Sequence, residues 1–177
     1  MKRYFVILAF VCLGSFNSFA QRFAYVDSDY ILKYIPEYTS AQKQLESLST
    51  QWQNEVDSKF GNIEKLYKVY QADQVLLTED MRKRRENEII EKEKAAKEFQ
   101  RVKFGFEGEL FQLRSKLVKP IQEKVAKAIQ AVAENQQLDM IFDKTSEIML
   151  LYASPRLDKS NDVVTRLGYK PGVFTKE

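Results

Sequence analysis

The sequence predicts a mainly α protein with a small β body, in which a long antiparallel α-helical hairpin, a coiled-coil tentacle, projects from a small β-sheet body. Three observations predict it. Apolar residues recur at helical spacing from Tyr38 to Tyr70, the stretch after them is dominated by charge, and β-type segments occur only near the two ends of the chain.

Lys2 and Arg3 open the chain, ten apolar residues run from Tyr4 to Leu13, and Ser18-Phe19-Ala20 places small residues at the first and third positions. This is the pattern of a secretory signal peptide cleaved after Ala20. Ten residues fall well short of the roughly 20 that a membrane-crossing helix needs. No later segment is long and uncharged enough either, so a water-soluble mature chain is expected. Phe10 and Val11 are too bulky to precede a lipid-bearing Cys12. Removing residues 1–20 also removes Cys12, the only cysteine, so an exported mature chain has no disulfide to rely on. Taking Lys2 and Arg3 from 28 basic residues leaves 26 against 25 acidic, a net charge of +1. That balance argues against a general nucleic-acid or membrane-surface binder.

Phe23-Ala24-Tyr25-Val26 alternates and is rich in aromatic and branched residues, so it predicts a short strand, with Asp27-Ser28-Asp29 as turn and helix cap. A short helix through Ile31, Leu32 and Ile35 is expected to stop at Pro36. From Tyr38 the apolar positions are 41, 45, 48, 52, 56, 60, 63, 66 and 70, nine steps over 32 residues, a period near 3.56. That lies between a straight helix and a heptad coiled coil.

The pattern breaks at Leu76-Leu77-Thr78-Glu79-Asp80, where Thr78 can cap a new helix and the two acids suit its positive end. A chain folding back there gives antiparallel partners whose numbers sum to about 155, pairing Leu66 with Ile89 and Leu45 with Leu110. Between Arg82 and Glu98, 12 of 17 residues are charged, so the second arm has a thin apolar stripe. Pairs such as Glu88 with Lys92 and Glu93 with Lys97 add about 0.2–0.5 kcal/mol each. The arms are expected to span residues 38–117. Pro120 suits a new helix segment or a kink, and Ile121, Val125, Ile129 and Val132 continue an apolar stripe. Leu138 to Phe142 and Ile148 to Ala153 predict two strands, and a last helix has Ser160 or Asn161 as cap, with Gly168 as stop. Residues 21–37 with 118–168 then form a discontinuous β-rich body, and residues 169–177 a loose tail.

The usual parts of several catalytic sites are missing. There is no histidine, no mature cysteine and no Gly-x-x-x-x-Gly-Lys-Ser/Thr loop, so no cofactor, no metal and no enzymatic activity are expected. Acid pairs such as Asp27 with Asp29 are accounted for as caps.

The signal peptide, the first strand Phe-Ala-Tyr-Val-Asp, the charged hairpin and Leu138-Asp-Met-Ile-Phe-Asp143 before a second strand resemble, in order and spacing, the Skp (OmpH-like) periplasmic chaperone family. The resemblance covers essentially the whole mature chain. It implies a homotrimer whose β-rich bodies assemble together and whose hairpins surround a cavity for unfolded outer-membrane proteins. It also implies a periplasmic location. A net charge of +1 leaves only a weak contact with lipopolysaccharide or anionic lipid to expect, and no nucleic-acid partner.

Several residues follow as candidates. Val75, Leu76 and Leu77 are expected to pack inside the hairpin turn and to offer client contact, beside Arg82, Lys83, Arg84 and Arg85. That basic run is either a solvated face or a patch for acidic clients or lipid headgroups. Trp52, Phe60, Phe99, Phe104, Phe106 and Phe111 are expected in the core. Gly105 and Gly108 interrupt the second arm as hinge candidates or as close-packing sites beside Trp52. Phe23, Tyr25, Met140, Phe142, Leu150 and Tyr152 are candidates for the shared trimer core, because a body of about 65 residues without disulfide or metal buries little on its own. The competing function is a structural envelope adaptor or spacer docking partner helices, which needs sizeable domains on both sides of the hairpin. Only about 15 residues precede it, which favours an ATP-independent holdase.

Overall fold

The computed structural model describes residues 21–146 and 150–172. The signal-peptide expectation for residues 1–20 and the start of the second predicted strand at Ile148 lie outside them. The described elements are β1 (Phe23–Val26), α1 (Ser28–Leu32), α2 (Pro36–Asp73), α3 (Glu79–Phe104), α4 (Glu109–Gln136), β2 (Met140–Asp143), a 3-10 turn (Pro155–Leu157) and α5 (Ser160–Arg166). The chain divides into two compact units, residues 32–125 and residues 21–31 with 126–172.

In the first unit, α2 and α3 pair antiparallel. Pro36 opens α2 instead of ending α1, because at the first helical turn its missing N–H has no partner to lose. Along α2 the periodic positions turn inward as expected: Ala41, Leu45, Val56, Ile63 and Tyr70 are buried, and Leu48, Trp52, Phe60 and Leu66 half-buried. Contacts across the hairpin fix the register. Lys103 Nζ lies 4.7 Å from the centre of the Trp52 ring, the Trp52 and Phe104 rings meet edge-on at 6.3 Å, and the Tyr70 hydroxyl donates to Glu86. The expected partners Leu66 and Ile89 face one recess, and Leu45 and Leu110 another. Only Ile89 and Ala96 of α3 are buried, so the distal packing is thin: Ile63, Tyr70, Ile89 and Ala96, with Phe60, Leu66 and Leu77 against them. Glu93 pairs with Lys97 at 3.7 Å as expected, whereas Glu88 takes Arg85 at 3.2 Å in place of Lys92.

Helix α3 ends at Gly105. A Cβ there would meet the Arg101 carbonyl oxygen at 2.3 Å, and one at Gly108 would meet the Gly105 and Val102 oxygens at 2.9 Å. Between the glycines Glu107 takes a left-handed conformation, φ 54°. The two glycines therefore form a break between helices, not interior positions of one helix. Beyond it, α4 runs unbroken through Pro120, which starts no new segment.

In the second unit, β1 and β2 form a two-stranded parallel sheet with Phe23 opposite Met140 and Tyr25 opposite Phe142. Alternation sorts its faces. Ala24 and Val26 are buried, while Phe23 and Met140 stay largely exposed and Tyr25 and Phe142 half-exposed. The Phe23 and Phe142 rings stand 6.3 Å apart. Residues 150–154 form no strand, which corrects the second predicted strand. The segment beside β1 is instead the turn near Asp158, bridged to Tyr25, and Lys159 N donates to the Tyr25 carbonyl at 2.9 Å. The cap of α5 also differs. Ser160 is buried as its first residue and accepts from Asp27 N at 2.9 Å, and Asp158 Oδ1 accepts from Ser160 N at 2.8 Å. Gly168, φ 92°, stops α5 as expected: its N–H and that of Tyr169 bond back to Thr165 and Val164, which satisfies the last carbonyls.

Candidate interaction surfaces

At the hairpin turn Thr78 caps α3, its hydroxyl accepting from Met81 N at 3.4 Å, with Glu79 and Asp80 in the first turn. Leu77 packs against the distal core, as expected. Val75 and Leu76 do not: they are 89% and 84% exposed. Leu76 N bonds to Asp73 O at 2.8 Å, closing a tight turn over residues 73–76.

The basic run lies beside them. Arg82 Nε donates to the Leu77 carbonyl at 3.3 Å, Lys83 pairs with Glu79 at 3.0 Å and Arg85 with Glu88 at 3.2 Å. These partners offset the unfavourable field of the helix start. Arg84 pairs with none of the described residues and is exposed. Glu86 accepts from Tyr70, and that hydrogen bond holds the Tyr70 hydroxyl above its ordinary pKa. The turn thus presents two bare apolar side chains and two guanidinium groups, Arg82 and Arg84, that pair with no carboxylate among the described residues.

A second feature was not foreseen. Lys103 sits over the Trp52 and Phe99 rings and pairs with Glu109 across the break, while Lys59 lies 4.8 Å from the Phe99 centroid. Trp52, Phe60, Phe99 and Phe104 are half-buried, but Phe106 is 97% and Phe111 58% exposed, which overturns the expectation that both are core. The glycine-bounded break turns Phe106 away from either helix. Two glycines three residues apart around a phenylalanine were the available signal.

The sheet face forms the third surface. On it Phe23 and Met140 are both more than two-fifths exposed; Leu150 and Tyr152, 41% and 83% exposed, lie outside the strands. At the sheet's end, burial would raise the Asp27 carboxyl, but the hydrogen bond from Lys144 at 2.8 Å and that from Tyr30 N outweigh it and hold it below its ordinary value. Asp143 behaves alike: burial raises it, and hydrogen bonds from Ser28 and Thr145 lower it further. Among the described residues no group of three or more His, Cys, Asp or Glu is placed to hold a metal, and no helix is long and apolar enough to cross a membrane.

Long paired helices and a two-stranded parallel sheet define a helical-hairpin protein with a small β body. The chain belongs to the OmpH-like family: the family's sequence model, described as outer membrane protein (OmpH-like), matches residues 22–167. A crystal structure at 2.83 Å of a candidate outer membrane chaperone (OmpH-like) from Caulobacter crescentus CB15 shares the fold, with a TM-score of 0.61 and 16% identity over 84% of each chain. A search of the curated proteins gives no match.

Proposed function

We propose that this chain is an ATP-independent holdase chaperone, exported to the periplasm with its signal peptide removed after Ala20. It binds unfolded outer-membrane β-barrel proteins in a cavity between the helical arms of a homotrimer and prevents their aggregation. The observation that carries this reading is the hairpin turn of an OmpH-like chain, which leaves Val75 and Leu76 bare beside Arg82–Arg85. Apolar surface left in water costs about 25 cal/mol per Å², so such a turn gains by covering an unfolded chain's apolar residues. Each contact is weak. Three arms acting on one client multiply them, because the second and third contacts form at high effective concentration.

Trimer assembly draws support from the sheet. A four-residue parallel pair is marginal alone, and the apolar face of Phe23, Tyr25, Met140 and Phe142, with Leu150 and Tyr152 nearby in sequence, offers the surface that partners would cover. Arg84 allows weak contact with lipopolysaccharide or anionic lipid.

The test is dilution of a urea-unfolded outer-membrane β-barrel into buffer with the mature chain, followed by light scattering. Aggregation should be suppressed as the ratio reaches about three chains per client. Aggregation unchanged at a large excess of the chain contradicts the holdase reading.

A further inference from the structure

The helix break and the start of α4 carry a feature that the holdase reading does not use. Phe106 is 97% exposed between Gly105 and Gly108, and Phe111 is 58% exposed in the first turns of α4. A phenylalanine in water forfeits roughly 1.5–3 kcal/mol of burial. The glycine geometry fixes the turn without any need for an aromatic at 106, since the Cβ clashes fall at Gly105 and Gly108 alone. From Phe111 a shallow recess continues along one side of α4, lined by Ser115, Lys116, Lys119 and Pro120, with Glu123 at its far end.

Charge gives the surface a sign. From Leu110 to Gln122 the chain holds Arg114, Lys116 and Lys119 and no acidic residue. Lys116 and Lys119 are exposed and paired with none of the described residues.

We propose that Phe106, Phe111, Lys116 and Lys119 form a second client-contact site, selective for extended segments that carry aromatic and acidic residues together; this rests on the holdase reading. The two rings cover aromatic side chains, and the two ammonium groups meet carboxylates. Membrane-spanning β-strands alternate apolar and polar residues and end in aromatic girdles, so their unfolded segments supply this combination. The hairpin turn, by contrast, offers aliphatic side chains. Two sites of different chemistry on one arm let a single client strand engage twice.

The experiment uses the full mature chain and a fluorescein-labelled 12-residue peptide in which Phe and Tyr alternate with Asp and Ser, read by fluorescence anisotropy. A second peptide has Lys in place of Asp. Wild type should prefer the acidic peptide, and Phe106→Ser with Phe111→Ser should weaken it at least about 10-fold. Lys116→Gln with Lys119→Gln should weaken the acidic peptide about 3- to 10-fold at low salt and bind the lysine peptide no more weakly than wild type does. Because these side chains are exposed, helicity by circular dichroism should match wild type in both variants. Equal affinity for the two peptides, or unchanged binding by the phenylalanine variant, overturns the site. A fall in the assembly mass of that variant assigns the face to a second copy of the chain, and binding only to phosphatidylglycerol vesicles assigns it to lipid; either result also overturns it. Wild type that protects the unfolded barrel yet fails these peptide tests loses this site alone, while wild type that gives no protection loses the holdase reading itself.

Discussion

Asp27, Asp143 and Asp158 tie together segments that are distant in sequence. Asp27 N–H donates to Ser160, whose hydroxyl donates to Asp158 at 2.6 Å, and the Asp27 carboxylate holds Lys144. Asp143 accepts from Ser28 N at 3.2 Å. Asp27 and Asp143 are held below their ordinary pKa, so each favours folding when ionised in both states. That contribution is present above about pH 4, the unfolded carboxylate range, and is lost as pH falls through the lower folded value. Lys144 is raised by its hydrogen bond to Asp27, so its contribution is present below the ordinary lysine range and lost above its raised value. Urea unfolding followed across pH should therefore show stability level from about pH 5 to 9 and falling below pH 4. Asp27→Asn with Asp143→Asn should be less stable at pH 7 and show a shallower acid decline. An identical acid slope in that variant would remove these carboxylates from the account. The capping role of Asp27 was legible, because an acid after a strand and before a helix suits that place. Its tie to Ser160 was not, since 133 residues separate them and local propensity carries no such information.

At the level of elements, the long helix and the hairpin register were readable because burial repeats every helical turn over 38 residues. Side-chain spacing alone then sets which residues face inward. Boundaries at proline were harder. Pro36 can end a helix or begin one, and the choice depends on whether its neighbours' N–H groups have partners elsewhere. Pro120 stands inside α4, where packing of Val118, Ile121 and Val125, all buried, outweighs the lost hydrogen bond. The apolar run after Ser146 looked like a strand, yet its described part, residues 150–154, has no strand partner among the described residues. The break at Gly105 gives a clear contrast with Gly61. Gly105→Ala places a Cβ against the Arg101 oxygen and should cost about 1–3 kcal/mol in urea unfolding. Gly61→Ala, in mid-helix with nothing within 4 Å of the new atom, should gain about 0.5–1 kcal/mol. A neutral Gly105→Ala would mean that the break needs no glycine there.

For the whole molecule, the holdase proposal depends on assembly. The sheet unit has four-residue strands, one buried face and one apolar face left open to solvent. Exposed apolar faces of this kind mark association sites. The sequence alone carried the composition of that face, through the alternation of Phe23, Tyr25, Met140 and Phe142, but not its partner. Phe142→Asp places a charge where partners would exclude water, which should cost several kcal/mol of association and yield monomers. The most direct measurement is the mass of the mature chain by multi-angle light scattering, alone and after mixing with a urea-unfolded outer-membrane β-barrel. The account predicts three chains alone, three chains with one client in a soluble complex, and neither species for Phe142→Asp. A monomeric wild type that still keeps the client soluble, or a trimer that leaves the client wholly in the aggregate, would contradict it.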